Sequence, residues 1–155
     1  MAKTDWDYSD SKHNKWRHAQ STITFDGGTV NAIGDHDGTG DPFTIFTVTG
    51  DVIVKVVGVC TTLLDGASGT VEVGTSLDTD AILPTTTATD IDAMEIWHDA
   101  SPDNSVELSS VLVEEIVAGG DDIIGTVATA NITAGVIRFI CLWKPLSRDG
   151  NVAGV

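Results

Sequence analysis

Basic side chains are scarce. Against 23 Asp and Glu there are 8 Lys and Arg, a formal net charge of −15 in 155 residues. Between Ala19 and Ile137 the only Lys or Arg is Lys55. Such a body repels phosphate backbones, which argues against nucleic-acid binding, and it favours solubility. Apolar runs are short and broken by Gly or Lys, so no stretch reaches membrane-spanning length. The first twenty residues are polar and lack the apolar centre of a secretory signal, so no secretory signal is expected. There are 2 cysteines, Cys60 and Cys141, too few for a disulfide framework. Both fall in apolar runs, and two reduced buried thiols are the expectation; a disulfide between neighbouring strands is the alternative.

Catalytic signatures are missing as well. No H-E-x-x-H, G-x-S-x-G or C-x-x-C occurs. His36, His98, Asp37, Asp99, Glu95 and Asp92 share no spacing that gathers them, and no catalytic residue is assigned. The glycine pairs do not open helices, so they mark turns and not phosphate cradles. Asn131-Ile132-Thr133 fits a glycosylation acceptor by pattern and reads as a turn. No cofactor is expected.

Abundant Thr, Val and Asp with 16 Gly, and little Lys, Glu or Leu, speak for short strands joined by glycine turns. The expected fold is all-β: one antiparallel β-sandwich or jelly roll. It divides into an extended N-terminal arm at 1–20, a body at 21–147 and a polar tail at 148–155. The organising stretch is 43–60. Two β-branched runs, 43–48 and 52–60, are joined by Thr49-Gly50-Asp51. The second run is apolar on both faces apart from Lys55, so it is expected to be covered on both faces. Residues 136–143 share that character apart from Arg138 and are placed beside it. Gly58 inside the run points to a bulge or a close backbone approach. The named core is Phe46, Val54, Val56, Ile137, Phe139 and Trp143.

Elsewhere, 22–26 and 70–74 alternate as half-buried strands, and 81–83 reads as a short strand stopped by Pro84. Residues 85–89 are polar chain. Residues 90–99 fit either a helical turn or a strand; the strand is preferred. Residues 110–117 fit a strand, or nearly as well a helix from Ser109, and β-branching again favours the strand. Ser101-Pro102-Asp103-Asn104 is a turn.

Two segments carry candidate binding residues. In the arm, Trp6, Tyr8 and Trp16 stand among Lys12, Lys15 and Arg17, a mixture suited to ordering against another surface. The alternative is that Trp16 and Tyr8 pack on the domain's own edge. Asp35, Asp37 and Asp41 form the densest acidic cluster and a weak Ca²⁺ candidate. The EF-hand pattern fails there, because Phe46 stands where a bidentate Glu is required. A solvated turn is the plainer reading.

Three segments and an opening carry a resemblance: T-V-T-G-D-V at 47–52, T-D-I-D-A-M-E-I-W-H-D at 89–99, G-V-I-R-F-I-C-L-W-K-P-L-S at 135–147, and T-I-T-F-D-G-G from Thr22. Over about 21–155 the chain resembles small virion structural proteins of tailed bacteriophages, of the head decoration or cement type. The resemblance implies a sandwich or jelly-roll domain, often trimeric, that clamps neighbouring major capsid protein subunits. It also implies a place on the outer capsid surface after synthesis in the host bacterial cytoplasm. The arm has no counterpart in it. Alternatives are another virion component, such as a head fibre base or tail-associated protein, and a carbohydrate-binding sandwich using Trp97 or Trp143.

Overall fold

A computed structural model describes residues 15–155. Trp6, Tyr8 and Lys12 of the expected arm lie outside these residues. The chain is an all-β sandwich of two antiparallel sheets. Among the described residues ten strands are formed: β1 (Arg17–Thr24), β2 (Phe43–Thr49), β3 (Val52–Asp65), β4 (Thr70–Gly74), β5 (Leu83–Thr87), β6 (Ile96–Trp97), β7 (Glu115–Val117), β8 (Ile123–Ala128), β9 (Ala134–Pro145) and β10 (Asn151–Gly154). One sheet has the order β1-β9-β3-β6, with β7 also paired to β3. The other runs β10-β2-β8-β4-β5.

The two apolar runs of the organising stretch separate between the sheets. Gly50, at φ +62°, makes the turn that carries β2 in one sheet into β3 in the other. β3 and β9 pair along most of their lengths, with Val54 opposite Trp143 and Val56 opposite Cys141. Their alternate side chains turn inward. Phe46, Val54, Val56, Ile137, Phe139 and Trp143 are all buried in one apolar cluster, as the alternation requires. Trp97 sits at its centre, fully buried. Its indole N–H donates to Thr86 Oγ1 at 3.0 Å, and its ring meets Phe139 edge-on with centroids 6.1 Å apart. Gly58 is a close approach: a Cβ there would stand 3.2 Å from Ile137 and 3.3 Å from Trp97.

Cys60 and Cys141 are free buried thiols. Cys60 lies opposite Ile137 and Cys141 opposite Val56. The four-residue offset along the strands is about 13 Å, too far for a bond.

Several expectations need correcting. Strand structure begins at Arg17, so residues 17–20 belong to β1 and not to an arm. The segment looked irregular because its outward residues are polar; Ala19 and Ser21 alternate inward, buried. The supposed tail holds β10, whose Val152 is buried and pairs with Val48 of β2. Pro84 does not stop a strand. It lies within β5, the edge of its sheet, where a missing N–H is tolerated. The expected strand at 110–117 contracts to β7, and that at 90–99 to β6, because the free side of β3 is shared between them. Most of the chain between β6 and β7 is loop, with a 3₁₀ turn at Ser109–Val111. No helix among the described residues is long and apolar enough to cross a membrane.

Candidate functional site

An antiparallel sandwich turns polar residues outward on both sides. The sheet containing β2 obeys: its outward positions include Thr44, Thr47, Thr70, Glu72, Thr85 and Thr126. The sheet containing β3 does not. Its outward cross-strand pairs are Ile53–Lys144, Lys55–Leu142, Val57–Ile140 and Val59–Arg138. Every one of these eight residues is half-buried, so among the described residues the expected second cover over β3 is partial. Ile96 of β6 and Ile116 of β7 extend the apolar patch, Ile116 being 66% exposed. This face also gathers cations on an acidic protein. Lys55, Arg138 and Lys144 are three of the six Lys and Arg in residues 15–155. Lys55 Nζ meets Glu114 Oε1 at 3.2 Å. Arg138 and Lys144 form no ion pair among the described residues, and Arg138 Nε is buried without a hydrogen-bond partner.

The expected arm residues that can be placed divide around this sheet. Trp16 is half-buried on the outer side, with Lys144 Nζ 4.2 Å and Lys55 Nζ 5.0 Å from its ring centroid. Such contacts hold an indole against a cationic surface. Arg17 turns the other way, its guanidinium 4.9 Å from the ring of Trp143. Lys15 is exposed. Trp16 and Arg17 therefore pack on the chain's own sheet.

Asp35, Asp37 and Asp41 do not converge. Asp35 Oδ2 accepts the Asn31 backbone N–H at 2.8 Å. Asp37 lies 3.4 Å from His36 Nε2. Asp41 Oδ1 accepts from Val127 N at 2.7 Å, and burial pushes its carboxyl above the usual range. Asp35 thus braces its own turn, while Asp41 ties the loop to β8. His36 is also held by Asn131, whose Nδ2 donates to the Gly27 carbonyl. The N-x-T motif is thus a structural turn.

Sequence spacing missed one cluster, formed by His98, Asp99 and Asp103. Ile96 and Asp103 exchange backbone hydrogen bonds of 2.8 and 2.9 Å, closing the turn that had been expected at 101–104. That closure brings Asp103 Oδ2 to 3.0 Å from His98 Nε2, while Asp99 Oδ2 lies 3.7 Å from Nδ1. The two carboxylates thus approach opposite sides of one ring. They orient and brace the imidazole, and no hydroxyl or thiol among the described residues hydrogen-bonds to it. Asp99, Asp103 and His98 are also the one group among the described residues with three close metal-ligating atoms. His98 borders a pocket of about 50 Å³ with Val54, Val56, Val113 and Glu115. Such a space suits water and is far below the ~300 Å³ of a small-molecule site. Burial, with a smaller contribution from Asp78, raises the Glu115 carboxyl above its ordinary value.

Trp97 and Trp143 offer no sugar-stacking face, since both are buried. Against known proteins, the chain matches no family model, no curated protein and no solved structure.

Proposed function

We propose that this chain is a non-enzymatic decoration (cement) protein of a tailed-phage head. It binds the outer surface of the major capsid protein shell and stabilises it, and it works as a homotrimer. The observation that carries this reading is the outward face of the β3–β9 sheet. A sandwich that needed only to stay soluble would make that face polar, as the opposite sheet does. Here it is apolar and cationic, the composition of a surface that meets another protein. The long β3–β9 pairing behind it supplies a stiff platform. The strand order also supports a jelly roll: β1-β9-β3-β6 faces β2-β8-β4-β5, with β10 added at one edge.

Shell proteins of this kind act by buried area, so the chain requires rigidity and exposed contact surface and no reactive centre. The braced His98 and the small pocket beside it are compatible with that division. The carbohydrate-binding alternative has lost both tryptophans it relied on.

The test is a reconstruction of phage heads with and without the protein. The reading expects difference density on the outer shell surface at symmetry-related seams, with a core matching this sandwich. Difference density confined to the tail, or none, contradicts it.

A further inference from the structure

The most exposed apolar side chains include a cluster in one loop. Val106, Leu108 and Val113 are 85%, 72% and 66% exposed. They lie within residues 105–114, which also carry Glu107 and Glu114 and no Lys or Arg. An exposed segment that is apolar and acidic is the chemical complement of a face that is apolar and cationic. Both occur on this chain.

We propose that they are two halves of one head-to-tail interface between copies of this chain: the 105–114 segment of one copy lies on the outward β3–β9 face of the next. This rests on the decoration-protein reading, and it names the surface by which the copies join.

Charge selects this arrangement over its rivals. Two copies meeting through the same cationic face would bring Lys55, Arg138 and Lys144 against their own kind, and desolvated like charges repel. A segment bearing carboxylates supplies the counter-charge that Arg138 and Lys144 lack among residues 15–155. Glu114 already shows the contact in miniature, reaching Lys55 at the β3 border of the face. The chain's own segment therefore meets the face only at that border; Trp16 lies over the Lys144 end, and among residues 15–155 the rest of the Arg138–Lys144 side carries no further cover. Three long strands about 4.8 Å apart and nine residues rising about 3.3 Å each give roughly 430 Å² of flat face. A specific interface uses about 800 Å² per partner, so the face supplies about half of one partner's share and its rim supplies the rest. A head-to-tail contact uses unlike surfaces and closes into a ring when its rotation permits, which a trimer satisfies.

The test is light-scattering mass of the full chain at low and high salt, with Leu108→Asp and Lys144→Glu as variants. Both side chains lie outside the buried cluster, and circular dichroism checks that both variants fold. The expected result is a wild-type oligomer that weakens with salt, and at least a tenfold weaker association in each variant. Mixing the two variants is the sharper arm. A head-to-tail interface leaves one intact junction between them, so the mixture forms dimers and stops there. A wild type that stays monomeric at about 100 μM in low salt overturns the proposal, as does an oligomer unchanged by both variants or a mixture with no dimer. Head binding is measured in parallel. A monomer that still decorates heads sinks the interface and leaves the function standing; a ring that ignores heads does the reverse.

Discussion

Trp97→Phe separates a structural tryptophan from a ligand-binding one. Trp97 has no exposed surface, and its indole N–H donates to Thr86 Oγ1, itself buried. The variant loses one buried hydrogen bond, worth about 1 kcal/mol net. It also replaces indole by phenyl, removing about 40 Å³; at ~24 cal/mol per Å³ of unfilled space that adds about 1 kcal/mol. Gly58 and Phe139 flank the ring on rigid strands, so collapse into the space is limited. The total, about 2 kcal/mol, corresponds to a fall in Tm of roughly 4–8 °C for a domain of this length. Urea unfolding gives the free energy directly, as a lower midpoint at unchanged slope. Adding Thr86→Val isolates the hydrogen bond, with an expected coupling of about 1 kcal/mol. A loss below about 0.5 kcal/mol for Trp97→Phe, or zero coupling, would refute this account of the core.

The remaining predictions use other parts of the sandwich. Burial pushes the Cys60 thiol to about 11 and the Cys141 thiol to about 12, so the native protein should resist a thiol reagent at pH 8 and expose two thiols in denaturant. Glu115→Gln should raise stability at pH 7, because the folded state penalises the charged carboxylate. Its raised value means the wild type gains stability as pH falls through the folded value toward the ordinary 4.5. Melting curves should therefore show the advantage of the variant shrinking over that window; an advantage that grows there would reverse the sign. Truncation after Gly150 removes Val152 from the core and uncovers the edge of β2. Lower stability and concentration-dependent aggregation should follow, read by melting and light scattering.

How much of this was legible depended on whether a residue's neighbours repeat its message. Phe46, Val54, Ile137 and Phe139 lie in long β-branched alternations, and their burial could be read directly. β10 could not, because Asn151, Ala153 and Gly154 give no alternation around Val152; its partner β2 supplies the order. β5 hid behind Pro84, which is harmless only at an edge, and edges belong to topology. The outward face of β3 is ambiguous in the sequence for a physical reason. A strand buried on both sides and a strand presenting an apolar docking face have the same composition. Among residues 15–155 the cover is partial. The His98–Asp103 contact spans a turn whose residues were recognised, yet the side-chain meeting depends on the backbone pairing of Ile96 with Asp103.

The most direct check on the central claim is co-sedimentation of the purified chain with heads stripped of decoration. Adhesion through a built surface predicts saturable binding at a fixed ratio to the major capsid protein, with heads that then withstand higher temperature. A chain left in the supernatant at every concentration, with heads no more heat-resistant than before, contradicts it.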